Sequence, residues 1–292
     1  MLKTNENNLV MMSVSGKVSQ SESHGGFLFD SNGRPFSCPG TGGICYNVVV
    51  GNSAFGWAGD HIEPGVSSKG SEHQNASYNF LSCIGNEVVV VSGDAKGEVG
   101  IVTGMHGGSD RVMIDFPKDV MFKLTHDDTF MVRTFGQGLS LDEFPDIRMA
   151  NICPNLLAKL PIIEKNGKLF VGVTKHIPSE LMGSGIGSLN ISVGDYDITT
   201  QDEDLVNKLN INKIRLGDVV ALIDQDGTHG RTHRTGAITI GIVVHSDSKL
   251  SGHGPGVTTI ISSRDSTIIP FYDGHANIAE IMKIGAFRNE TG

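Results

Sequence analysis

The sequence predicts an α+β fold dominated by β-structure, arranged as two β-rich subdomains with a few short helices. Three observations predict it. Short β-branched runs bounded by Gly, Asp, Asn or Ser recur along the whole chain, and such residues pack well on a pleated sheet. Segments with helical periodicity are few and short. Glycine accounts for 38 of 292 residues, about twice the usual share of roughly 7%. It follows no fixed period, so it serves tight turns and close backbone approaches.

In the first half, strands are expected at 47–50, 87–91, 100–102, 111–115 and 130–134. The second half repeats the habit at 169–173, 218–223, 237–244 and 257–262, and the 237–244 run is apolar on both faces, as a central strand is. Three helices are expected. The first covers 146–151, with Pro145 at its entrance and Pro154 ending or kinking it. The second covers 202–209, where Asp202, Glu203 and Asp204 suit the positive end of the helix dipole, and the third covers 277–284. Asn166-Gly167 marks a hairpin turn or a junction. Together these place a boundary near residue 160, between an N-terminal β-rich domain (1–160) and a C-terminal α+β domain (161–292).

Lys and Arg number 23 against 32 Asp and Glu, a net charge of -9. The basic residues form no run that could track a phosphate backbone, which argues against nucleic acid and anionic membrane as partners and leaves small molecules or further copies of the chain. The early apolar run, 9–12, is too short for a signal-peptide core or a membrane span. Cys38, Cys45, Cys83 and Cys153 show neither a disulfide framework nor a CxxC pair, which fits reduced thiols and a cytoplasmic setting.

Eleven histidines sit mostly beside glycine or an acid. The segment 56–67 puts Asp60, His61 and Glu63 next to Trp57, the single tryptophan and a candidate substrate-binding surface. If the stretch is extended, His61 and Glu63 face the same way and can ligate a metal or form an acid/base pair, with Asp60 as general base. Alternatively, Asp60 and Glu63 cap a turn and His61 is a surface residue. The segment 251–258 partly echoes it: both read His, one or two residues, Pro-Gly-Val and a hydroxyl residue, which would set His61 and His253 across one interdomain cleft as ligands of a divalent ion. Pro-Gly is also an ordinary turn dipeptide.

The polar excursion 224–236 contains Arg231 and Arg234, a candidate clamp for a carboxylate or phosphate, and His229, a candidate for orienting substrate. His229 and His233 have the spacing of helical metal ligands, but Gly227, Gly230 and Gly236 oppose a helix. The alternative is a solvated hairpin tip. Cys45, after the glycine-rich 40–43, reads as a thiol nucleophile or a small buried hydrophobe. His24 and His106, each followed by two glycines, can add ligands to the same cleft. Nucleophile-elbow, Walker and HExxH patterns are absent, and 183–187 lacks dinucleotide-loop spacing.

The motifs GWAGDHIEPGVS (56–67) and SGHGPGVT (251–258), with the run 240–246, resemble a prokaryotic family described as a domain of unknown function with an N-terminal and a C-terminal part. The resemblance covers most of the chain. It implies a division near residue 160 and a protein that is not exported, and it carries no reaction. At a greater distance the glycine-rich loops are similar to those of metal-dependent amidases of the acetamidase and formamidase type, without a ligand-for-ligand match.

The function expected from these residues is metal-assisted hydrolysis of a small polar or anionic molecule in a cleft between the halves. The alternatives are a non-catalytic sensor or carrier of small anions using Arg231 and Arg234, and a self-associating structural protein whose glycine loops pack against copies of itself.

Overall fold

Six strands of the first half close on themselves. The computed structural model describes residues 2–23, 26–184, 187 and 190–288, so His24 and the middle of the 183–187 glycine run lie outside the described residues. The order is Met12–Val18, Thr129–Thr134, Glu87–Val90, Val99–His106, Arg111–Asp115 and Gly65–Lys69, with Ile44–Cys45 appended to the last. All neighbours are antiparallel. Met12–Val18 also pairs with Gly65–Lys69 through Lys17↔Lys69 and Val18↔Ser68, which shuts the sheet into a barrel and removes its free edges. Val66, Val88, Val102, Val112, Ile114, Phe130 and Val132 are buried in this body.

The second half, with one strand from the end of the first, builds an open sheet ordered Arg148–Met149, Gly256–Ser263, Thr232–Val243, Val219–Asp226 and Lys175–Ile177, with Tyr196–Asp197 also paired to Gly256–Ser263. The apolar run expected to be central is central: Thr232–Val243 has a neighbour on each side, and its second half is buried. A third sheet joins Ile162–Lys165, Lys168–Val173 and Ile268–Tyr272. Its hairpin turns on Asn166 and Gly167, both at positive φ (54° and 67°), as a tight two-residue turn requires.

Five α-helices occur among the described residues, none longer than seven residues, so the fold is α+β and predominantly β. Two were expected and carry the caps their sequences offer. Asp202 accepts from the Leu205 N–H at the start of Glu203–Lys208, and Asn277 accepts from the Ala279 N–H at the start of Ile278–Met282. The expected helix at 146–151 is a correction. Arg148–Met149 is a strand paired with Ser262 and Ile261, and Pro154 opens the helix Pro154–Leu157, because proline's missing N–H costs nothing in a first turn. Residues 47–50 are likewise irregular although Val48 and Val50 are buried.

The barrel and the open sheet share one core, in which Val66 and Ile114 belong to the same cluster as Ile240 and Ile260. The Thr258 hydroxyl donates to the Met105 carbonyl across the junction at 3.0 Å. Register slips at Val102/Gly104 and at Ile240/Gly241 bend strands of each body where they meet, and such bulges re-aim the side chains at a strand's end. No described helix is long and apolar enough to cross a membrane. All four cysteines are free.

Candidate metal centre

At that junction five short pieces of chain deliver imidazoles and carboxylates to one place. His106 ends the bulged strand Val99–His106, and His245 follows Thr232–Val243 by two residues. Asp195 and Asp197 flank Tyr196, so strand alternation turns both acids to the face opposite the ring. His61 and His253 sit in the turns preceding Gly65–Lys69 and Gly256–Ser263. Four rings gather, with centroids 4.2 Å apart for His106 and His245, 5.0 Å for His61 and His245, and 5.1 Å for His61 and His253.

Their nitrogens are sorted. His245 Nδ1 lies 2.9 Å from the Ser246 carbonyl; a carbonyl only accepts, so Nδ1 carries the proton and Nε2 looks into the cluster. His106 Nδ1 donates to Glu63 Oε1 and His61 Nδ1 donates to Asp60 Oδ2, each at 2.6 Å, which leaves Nε2 of each ring for other contacts. His253 instead turns Nδ1 inward, 2.7 Å from Asp197 Oδ2 and 3.2 Å from His61 Nε2. A carboxylate or carbonyl behind an imidazole, fixing its tautomer, is the arrangement metal-ligating histidines use. Ligand atoms of His61, Asp197 and His253 lie within 4.8 Å of one another, and so do those of His106, Asp195 and His245.

The charges are compensated by protons. Burial alone would raise Asp197, but the nearby imidazoles of His245, His253 and His61 hold it well below the usual carboxylate range. Burial alone would lower His245, yet the charge of Asp195 and contacts with both aspartates raise it well above an ordinary imidazole. His61 is raised in the same way, against its burial, by Asp197 and Asp60. Burial likewise opposes ionisation of Glu63, but His106 and the fully buried Arg111 outweigh it and hold Glu63 at about 2. Protonated imidazoles thus do for the buried carboxylates what a divalent cation would do.

The structure brings Asp60, His61 and His253 together and sends Glu63 elsewhere. His61 has φ +53°, so 60–63 is not extended and His61 and Glu63 do not share a face. Asp60 bonds His61 directly and also accepts from Ser248 Oγ and Lys249 N, both at 3.0 Å. Glu63 turns back to the barrel, accepting from Ser67 Oγ (2.5 Å), Ser109 Oγ (2.9 Å) and Gly42 N (2.9 Å) besides His106. Trp57 donates to the Ser53 carbonyl and lines a cavity of about 220 Å³ with Ser246 and Lys249.

The 224–236 excursion is a hairpin whose tip exposes His229. Arg234 donates to the Arg264 carbonyl. Arg231 donates to the carbonyls of Met182 and Gly183. Next to them, Ser184 Oγ lies 3.1 Å from Asp197 Oδ2 and 3.4 Å from His253 Nδ1, so Arg231 meets the centre through that loop. Cys45 is half-buried, and burial pushes its thiol up, away from a thiolate nucleophile. Sequence reasoning passed over Asp195, Asp197 and His245. The available signal was an acid-aromatic-acid alternation and a histidine closing a buried strand.

Residues 27–158 match the family described as "Domain of unknown function (DUF4438), N-terminal", and residues 159–282 match its C-terminal counterpart. The solved structure described as "Crystal structure of TM1086" is similar, with 43% sequence identity and a TM-score of 0.92 over 96% of this chain and 98% of that one. No curated protein matches the chain.

Proposed function

The chain belongs to the two-part DUF4438 family, and for this member we propose metal-assisted hydrolysis of a small polar molecule at the junction of the two halves. One observation carries the reading: His61 Nε2, His253 Nδ1 and Asp197 Oδ2 converge from distant segments, with Asp60 orienting the first imidazole from behind. Two imidazoles and a carboxylate suit a divalent transition metal, which in such a site lowers the pKa of a bound water and polarises the bond under attack. Asp60 holds the His61 tautomer through its 2.6 Å bond. Ser184, fixed by Arg231, holds Asp197 and His253. The His253 side chain is 36% exposed against 12% for His61, so substrate approaches from the His253 side.

The test is metal analysis of protein purified without chelator, followed by assays of amides, esters and phosphoesters with and without added Zn²⁺, Mn²⁺ or Co²⁺. Metal-dependent turnover should disappear in His61→Ala and His253→Ala variants that keep the wild-type circular dichroism. Failure of the wild type to take up any divalent ion at micromolar concentrations would end the proposal.

A further inference from the structure

We infer that the centre holds a second divalent ion, bound by His106, Asp195 and His245, and that the Asp197 carboxylate bridges it to the first. This deepens the reading above and rests on the same junction.

Each of the three residues has one polar atom tied down, and the three offer ligand atoms within 4.8 Å of one another. Asp195 Oδ1 accepts from Gly107 N at 2.6 Å, His106 Nδ1 is held by Glu63, and His245 Nδ1 by the Ser246 carbonyl. The remaining atoms, Asp195 Oδ2 and His245 Nε2, approach to 2.8 Å, yet neither has an aligned hydrogen-bond partner. Both are almost without solvent, the His245 side chain 0% exposed and that of Asp195 4%. Buried polar atoms without an aligned partner are rare, because each has given up its water without a bond in return. Two buried ligand atoms 2.8 Å apart without an aligned hydrogen bond are what a cation between them would satisfy.

The bridge follows from Asp197, whose Oδ1 lies 3.5 Å from His245 Nε2 while Oδ2 lies 2.7 Å from His253 Nδ1. One carboxylate therefore faces both ligand groups, and a pair of ions roughly 3.5–4 Å apart is the spacing of two-metal hydrolytic sites. Gly256 makes the packing possible, since a Cβ there would collide with Asp195 Oδ2 and His245 Nε2. With two imidazoles, carboxylates and no thiolate, the second position suits Zn²⁺, Mn²⁺, Co²⁺ or Fe²⁺ rather than a soft ion.

The experiment loads chelator-stripped full-length protein with Mn²⁺ and reads stoichiometry by elemental analysis and coupling by electron paramagnetic resonance. The expectation is two ions per chain with the signal of an exchange-coupled pair. Asp195→Asn and His106→Gln should each reduce this to one ion with an isolated six-line signal. A wild type that binds one ion, loses it in His61→Ala and keeps it in Asp195→Asn would overturn the second site and leave the first. A wild type that binds none would overturn both. Should Asp195→Asn fail to fold, wild-type stoichiometry and coupling still decide the matter.

Discussion

Replacing Glu63 by glutamine tests how firmly His106 is held. Each carboxylate oxygen serves two donors: Oε1 takes His106 Nδ1 and Ser109 Oγ, and Oε2 takes Ser67 Oγ and Gly42 N. An amide nitrogen cannot accept. The serine hydroxyls can rotate, but either the His106 N–H or the Gly42 N–H then faces an NH₂ group in a buried site. The shift of Glu63 from 4.5 to about 2 corresponds to roughly 3 kcal/mol at about 1.4 kcal/mol per pKa unit. That agrees with about 3–5 kcal/mol for breaking a buried charged pair, here one that also faces the buried guanidinium of Arg111 at 3.7 Å.

In a chain of this size that is a fall in Tm of roughly 5–10 °C, measurable by calorimetry in the presence of EDTA. The pH dependence has a definite sign. A depressed folded pKa stabilises fully above the unfolded value and loses its effect as pH falls through about 2. The gap between wild type and Glu63→Gln should therefore be constant from about pH 5 to 8 and shrink only below about 4.5. A variant melting within about 2 °C of wild type at pH 7 would refute the reasoning, as would a gap that grows on acidification.

Gly256→Ala should cost about 1–3 kcal/mol through overpacking; by isothermal titration it should weaken ion binding at His106, Asp195 and His245 more than at His61 and His253, because its Cβ meets the former group. The metal-free protein should lose thermal stability as pH rises above neutrality. The raised pKa of His245 contributes fully below 6.5 and is lost as pH climbs through the folded value. Added Mn²⁺ should have the opposite trend, stabilising more at higher pH because it displaces those protons; parallel melting curves with and without the ion would count against it. Asn277→Ala should destabilise by about 2–3 kcal/mol in urea unfolding, since the buried amide caps Ala279 N and donates to Asp218 Oδ1 and the Leu216 carbonyl.

Local rules made most of the fold legible. Strand runs such as 111–115 and 237–244 are short-range patterns of β-branched residues, and the helix starts at Asp202 and Asn277 rest on side chains two or three positions from the N–H they cap. Where local and tertiary forces disagreed, the tertiary force won. Arg148–Met149 pairs with Gly256–Ser263 instead of winding into a helix, because that sheet satisfies its backbone.

The candidate site was legible only where turn chemistry marked it. His61 and His253 stood out because glycine and proline surround them, and the structure seats them 3.2 Å apart. Asp195, Asp197 and His245 gave no comparable sign, since a buried histidine closing an apolar strand reads as core until the facing strand is known. An extended backbone would turn Glu63 to the same side as His61, and the positive φ of His61 turns it away.

What the residues determined unaided is a β-rich, acidic chain of short strands, with glycine turns holding acids and imidazoles. Only the tertiary structure decided which of those groups meet. The six groups at the centre come from positions 61 to 253, and no periodicity of 2 or 3.6 relates positions so far apart. Their company is set by barrel closure, by two β-bulges and by the shared core of two sheets, all of them long-range consequences of burial.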